Sequence, residues 1–236
     1  MKTVILSYPI ENNSPHYIGT TEPSLEPLTQ IKNGDDYNTY EITVGNHSGT
    51  HIDAPKHFID TDKSIADYSP EELRFKNPIV LDCPKKPYEL IEINDIHDAN
   101  LDKCECLLFK TGFGIYRETD LQKYLTKSPG IAVETVAWIR KKHPEIRCLG
   151  IDTISMSRYQ DAENAKQTHI TGFETNPNYG EPLLFIEDMN LGIDTKIKLK
   201  EVMVVPWQIK GIDSAPCTVM GFVNQNTIKK SYVNLL

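Results

Sequence analysis

Apolar residues recur along this chain in short blocks, separated by polar stretches rich in Pro, Asn and Gly. Residues 3–7 are β-branched and apolar and predict a first strand, closed by Tyr8-Pro9. The polar stretch from 11 to about 28 reads as a long loop, and loops of that length in compact domains are often functional. Gly34-Asp35-Asp36 predicts a turn, and 37–44 alternates well enough for a strand. Compact apolar blocks predict further strands over 79–83, 104–110, 147–151, 182–188, 201–207 and 217–223. Helical signals are fewer. Ser69-Pro70-Glu71-Glu72-Leu73 has Ser at an N-cap and Pro at the first helical position, which predicts a short helix ended by Pro78. Asn94-Asp95-Ile96 begins another. Residues 131–143 predict a longer helix: Ile131, Val133, Val136, Ala137 and Ile139 form an apolar stripe, basic charge gathers at the C-terminal end and Pro144 stops it. His143 reads as a solvated helix-end residue. Residues 161–169 are polar, and 174–181 form a Pro/Asn/Gly-rich excursion. This order is not a regular β-α repeat, which excludes a simple doubly wound sheet. No internal repeat or boundary appears, so 1–236 reads as one domain.

Composition changes this picture little. The chain is 39% hydrophobic and 25% charged, ordinary for a protein with a sizeable core. Its net charge of −8, with no long basic run, argues against a nucleic-acid-binding surface. No apolar run is long enough to span a membrane, and the N-terminal one is too short for a signal peptide. Five scattered cysteines, an odd count, predict a reduced, cytoplasmic protein. Cys104-Glu105-Cys106 sits in an apolar run and reads as strand rather than as a redox or metal pair.

Chemistry concentrates in Asn46-His47-Ser48-Gly49-Thr50-His51-Ile52-Asp53-Ala54-Pro55-Lys56-His57-Phe58, which holds three of the seven histidines. Read as extended, alternation puts His47, Gly49, His51, Asp53, Pro55 and His57 on one face. A helix would turn Asp53 away from the histidines, and Gly49 and Pro55 disfavour a helix interior. Imidazole nitrogens with a carboxylate oxygen suit zinc or another first-row divalent ion. Gly49 would leave room for that ion. The plainer alternative is a set of histidines making ordinary hydrogen bonds at a strand end.

The run His-x-Gly-Thr-His-x-Asp-Ala-Pro-x-His-Phe resembles the signature of the metal-dependent cyclase family, which includes bacterial kynurenine formamidases and isatin hydrolases. The resemblance extends from about 5 to 222, through Gly150-Ile151-Asp152-Thr153 and Gly211-Ile212-Asp213-Ser214-Ala215-Pro216, the last read as a turn. It implies an α/β fold, a layered β/β/α arrangement with a central barrel-like mixed sheet. It implies ligand roles for His47, His51 and Asp53, and a second set in His169 and Glu187, with Asp53 and Glu187 bridging if two ions bind. Asp188 is the rival of Glu187. His57 becomes the general acid/base, with a further ligand as the alternative, and Tyr17 stands where the family carries an aromatic residue near the substrate. Asp152 either supports a ligand or caps a turn. The implied cofactor is a divalent metal, zinc or alternatively manganese, one or two per chain. The implied reaction is hydrolysis of an amide-type C–N bond in a small aromatic substrate, as in kynurenine formamidase, by a homodimer or homotetramer. The alternatives are a cyclic-amide or lactone hydrolase of the isatin hydrolase type and a non-catalytic metal-binding protein that kept the fold.

Overall fold

A computed structural model describes residues 2–223. Its strands, in chain order, are β1 (Lys2–Ile5), β2 (Ser24–Thr29), β3 (Thr39–Thr43), β4 (His51–Asp53), β5 (Arg74–Lys76), β6 (Ile79–Asp82), β7 (Leu90–Ile91), β8 (Cys106–Lys110), β9 (Gly130–Ile131), β10 (Cys148–Ile151), β11 (Leu184–Glu187), β12 (Leu199–Pro206) and β13 (Ser214–Val223). The helices are α1 (Ile93–Ile96), α2 (Tyr116–Thr119), α3 (Leu121–Thr126), α4 (Val133–Lys142) and α5 (Ala162–Phe173).

Nine strands form one curled, half-barrel sheet in the order β5-β12-β13-β4-β11-β10-β8-β6, with β1 also paired to β13. Its two halves differ. Strands β11, β10, β8 and β6 are parallel, whereas β5, β12, β13 and β1 pair antiparallel. The short strand β4 is the seam and runs antiparallel to both neighbours. The parallel half lies against α4 and α5, and Ile139, Val136, Phe173 and Phe185 share its core. The antiparallel half curls round a second core that includes Phe75, Val202, Val219 and Leu6. The layered mixed sheet expected from the resemblance is present.

Several local expectations change. Residues 69–73 make a single turn, with Glu72 N and Leu73 N both bonded to Ser69 O, and the chain then enters β5 rather than continuing a helix. Ser69 and Pro70 start a helix correctly, but Phe75 is required as a fully buried strand residue two positions after the turn ends. The polar stretch 161–169 is helical. Asp161 caps α5 by accepting from Asn164 N, and the buried residues Thr168, His169, Gly172 and Phe173 crowd its C-terminal half, so no regular apolar stripe announces it. Residues 116–126 hold α2 and α3, which the apolar pattern did not signal. The long loop ends at β2, which forms a separate hairpin with β3. Residues 214–216 belong to β13, not to a turn. All five cysteines are free and buried.

Candidate metal centre

Register at the seam sorts the side chains. Across β11, β4 and β13, Ile186, Ile52 and Ala215 lie in one row, each fully buried in the antiparallel core. Their neighbours in sequence point to the other face. Glu187 stands opposite His51, and Asp53 lies between Phe185 and Ser214. Helix α5 covers this face and brings in His169. Gly172 allows the approach, since a Cβ there would meet Phe185 Cζ at 2.3 Å.

The motif does not run as one extended strand. Only His51–Asp53 is strand; His47 lies in a turn, and His57 ends a 3-10 turn begun by Pro55. Gly49 adopts φ +63°, a left-handed conformation that interrupts the alternation. A Cβ at Gly49 would meet Ile10 Cγ1 at 3.5 Å, an ordinary contact, so among the protein's own atoms it is the positive φ of the turn that calls for glycine. The ligand candidates nevertheless converge. His51 Nε2 lies 3.4 Å from Glu187 Oε2 and 3.5 Å from Asp53 Oδ1, and His169 Nε2 lies 3.5 Å from Glu187 Oε1. His47 Nδ1 is 3.0 Å from Asp53 Oδ1. Two trios, His47-Asp53-His57 and His51-Asp53-Glu187, each bring ligand atoms within 4.8 Å of one another, and Asp53 belongs to both.

Three features fit a cation. Both oxygens of Asp53 and the Nε2 of His51 are buried without a well-aligned hydrogen-bond partner among the described residues, an arrangement that costs free energy unless something else satisfies them. His51 donates Nδ1–H to Gly49 O at 2.9 Å, and His169 donates Nδ1–H to Ala165 O at 2.7 Å. Each therefore turns its Nε2 inward, the nitrogen a metal would take once its proton is displaced. Glu187 is held from behind by Met156 N (2.5 Å) and Ser155 Oγ (3.2 Å).

Electrostatics agree with the donor set. Burial alone would lower the His47 pKa, but Asp53 and Asp213 outweigh it and raise it to about 10. Burial would raise Glu187, but the imidazoles of His169 and His51 beside it bring it down to about 2. Asp53 is likewise pushed upward by burial and held well below the carboxylate range by His47 and His51. A metal ion would displace protons from these imidazoles.

One residue of the site carries no role in the sequence reading. Asp213 Oδ2 accepts from His47 Nε2 at 2.9 Å and lies 2.8 Å from His57 Nδ1, while its Oδ1 accepts from Asn46 Nδ2 at 2.8 Å. It sits just before the β13 residues that pair with β4, and its carbonyl accepts from Ala54 N. The Gly211–Pro216 segment was the only available signal, and 160 residues separate Asp213 from Asp53. Phe58 also joins the site, its ring stacked on His169 at 4.7 Å. Tyr17 stays in the N-terminal loop with 49% of its surface exposed. That loop is laced to the motif through Gly49 N and Pro15 O at 2.8 Å. Asp152 caps the Thr111-Gly112 turn, accepting from both backbone N–H groups and the Thr111 hydroxyl. Asp188 faces away from the cluster, toward Arg117 and Tyr124.

The curled mixed sheet is a fold that solved structures share. Isatin hydrolase A from Labrenzia aggregata, bound to benzyl benzoate, has it with a TM-score of 0.77 and 19% identity over 94% of this chain and 93% of that one. A potential metal-dependent hydrolase with cyclase activity shares it at 0.71 and 22%, over 95% and 98%. Among sequence relatives, a kynurenine formamidase of Bacillus cytotoxicus is 27% identical over 161 residues, 68% of this chain and 72% of its own. Cyclase-like protein 3 of Arabidopsis thaliana is 26% identical over 196 residues, 81% and 68%. Residues 4–158 match the Cyclase family, described as "Putative cyclase", and the chain belongs to that family.

Proposed function

We propose that this chain is a metal-dependent amidohydrolase that cleaves an amide-type C–N bond in a small aromatic substrate, with N-formylkynurenine, giving kynurenine and formate, as the substrate to test. The observation that carries the reading is Asp53: a buried carboxylate whose only near polar partners among the described residues are the His47 and His51 rings, shared by two candidate ligand trios. His47, His51, Asp53, His169 and Glu187 would hold one or two divalent ions, zinc or manganese. A bound ion supplies Lewis acidity and a water whose pKa falls to about 7.

The chain's own groups divide the remaining work. His57 lies on the open side of the cluster, with its side chain 28% exposed, and His51 lies on the closed side at 2%. Substrate therefore enters past His57. Asp213 accepts from His57 Nδ1–H, which leaves Nε2 as the free nitrogen. From there it takes a proton from the attacking water and returns it to the leaving nitrogen, worth typically about 10²–10⁴-fold in rate. The exposed part of the Phe58 ring, beside His57 and His169, and the Tyr17 ring offer faces for an aromatic substrate.

The chain forms a homodimer or homotetramer. Support comes from the β2–β3 hairpin, where Leu28, Tyr40 and Ile42 are 62%, 55% and 56% exposed and, among the described residues, the two strands pair only with each other. A lone hairpin is marginal in water. Light scattering on the eluted protein measures this, and a monomer at micromolar concentration removes it.

The deciding experiment pairs metal analysis of the purified protein with N-formylkynurenine hydrolysis before and after chelation. Metal near two equivalents, with activity lost on chelation and restored by zinc or manganese, supports the reading. Metal without turnover sinks this substrate and moves the test to cyclic amides such as isatin. Protein that takes up no metal at all undoes the roles of His47, His51 and Asp53.

A further inference from the structure

Behind the metal centre, on the far side of Glu187, lies a buried set of charges that the reaction does not use. Asp188 is fully buried, and Arg117 is 8% exposed. Arg117 Nε lies 2.9 and 3.1 Å from the two oxygens of Asp188, and Tyr124 Oη donates to Oδ1 at 2.6 Å. The guanidinium stacks on the Tyr8 ring at 3.9 Å. Two details make this set unusual. Asp188 has φ +51°, a left-handed conformation uncommon outside glycine and asparagine-like residues. Arg117 Nη2 is buried with no hydrogen-bond partner among the described residues. A buried ion pair with an unmet donor is weak support for stability, which leaves specification of one geometry as the role to test here.

The backbone shows which geometry is specified. Asp188 N donates to Thr153 O at 2.8 Å, three residues before the Met156 N–H that holds Glu187. Asp188 O accepts from Thr50 Oγ1 at 2.5 Å, and Thr50 immediately precedes His51. Tyr8 N donates in turn to Thr50 Oγ1 at 2.9 Å. A twist at Asp188 is therefore transmitted to Glu187 on one side and to His51 on the other.

We propose that Arg117 and Tyr124 are positioning residues: by clasping Asp188 in its left-handed conformation they fix Glu187 and His51 in the geometry that binds metal. The inference rests on the proposed metal centre. The loss expected on breaking such support is about 10- to 100-fold in metal affinity.

The test measures zinc affinity of the full chain, stripped of metal, by competition with a chromophoric chelator. Asp188→Ala should bind zinc about 10- to 100-fold more weakly than wild type, by the same measure of outer support. Asp188→Asn, which tolerates the left-handed conformation and keeps one acceptor oxygen but leaves the Arg117 charge without its counter-ion, should recover only part of that loss. Tyr124→Phe removes one hydroxyl and keeps the ring; it should weaken zinc several-fold, and it decides the matter if Asp188→Ala fails to fold. Ile139→Val, a trimmed residue of the core under α4, should leave zinc affinity unchanged, which separates positioning from lost stability. Zinc affinity within twofold of wild type in Asp188→Ala, or in Tyr124→Phe where the first does not fold, overturns the clasp while leaving the metal centre standing. A wild-type chain that binds no zinc or manganese overturns the metal centre itself, and the clasp with it.

Discussion

Gly49 is the pivot of the histidine motif, and replacing it separates two reasons for a glycine there. With φ at +63°, every other residue type pays for its Cβ in backbone conformation, about 1–2 kcal/mol for alanine. Space does not add to this, because the nearest atom to a Cβ is Ile10 Cγ1 at 3.5 Å, an ordinary contact. For a chain of this size each kcal/mol moves Tm by about 2–4 °C, so Gly49→Ala should lower the Tm of the metal-free protein by about 2–8 °C. Gly49→Asn should lose less than half of that, because asparagine populates the left-handed region more readily. The strain would relax where Gly49 O accepts from His51 Nδ1–H and Gly49 N donates to Pro15 O, so zinc affinity should fall in the same order. Thermal unfolding by circular dichroism, at one pH and with chelator present, reads the effect. An alanine variant that melts with wild type, or an asparagine variant as damaged as the alanine one, would refute the conformational argument. Unchanged Tm with lost zinc binding would restore the expectation that Gly49 makes room for the ion.

Three further outcomes follow from the same geometry. Gly172→Ala drives a Cβ to 2.3 Å from Phe185 Cζ; overpacking should cost about 1–3 kcal/mol, with about 1 returned by helix propensity. Chemical denaturation should then show Phe185→Leu partly rescuing Gly172→Ala, and strictly additive effects would count against direct crowding. In the metal-free protein His47 is raised to about 10 from an unfolded value of about 6.5. Its stabilising contribution is therefore full below about pH 6.5 and lost as pH rises toward 10, by proton linkage. The stability gap between wild type and His47→Gln should narrow over that window; a gap that widens contradicts the sign. Finally, zinc at 100 times its Kd should add about 2.7 kcal/mol, or about 5–11 °C in Tm. Calorimetry with and without zinc checks this, and no shift in excess zinc would mean the folded state does not prefer the ion.

Much of the centre was legible because its chemistry is locally dense. Three histidines and an aspartate within eleven residues, interrupted by Gly49 and Pro55, exclude a helix and require some extended or turning path. The simple alternation failed in detail because a left-handed residue resets the period, and a glycine in sequence does not announce its φ. Helix α5 escaped the apolar pattern for a different reason. It is buried mainly at its C-terminal half, where His169, Gly172 and Phe173 meet the sheet, and its first turns are polar. Residues 69–73 show the converse: good capping residues whose helix is overruled by the demand to bury Phe75 in β5.

The sequence by itself determined the donor types, their concentration in one segment and the apolar blocks that become strands. Tertiary structure alone decided how distant residues meet that segment. Glu187 faces the cluster and Asp188 turns away because β11 pairs with β4 in a register that sets Glu187 opposite His51; a shift of one residue would exchange them. Asp213 reaches His47 and His57 because β13 pairs with the other edge of the same three-residue strand. Such register is fixed by burying Ile52, Ile186 and Ala215 together on the opposite face, a long-range hydrophobic requirement that no local pattern of residues contains.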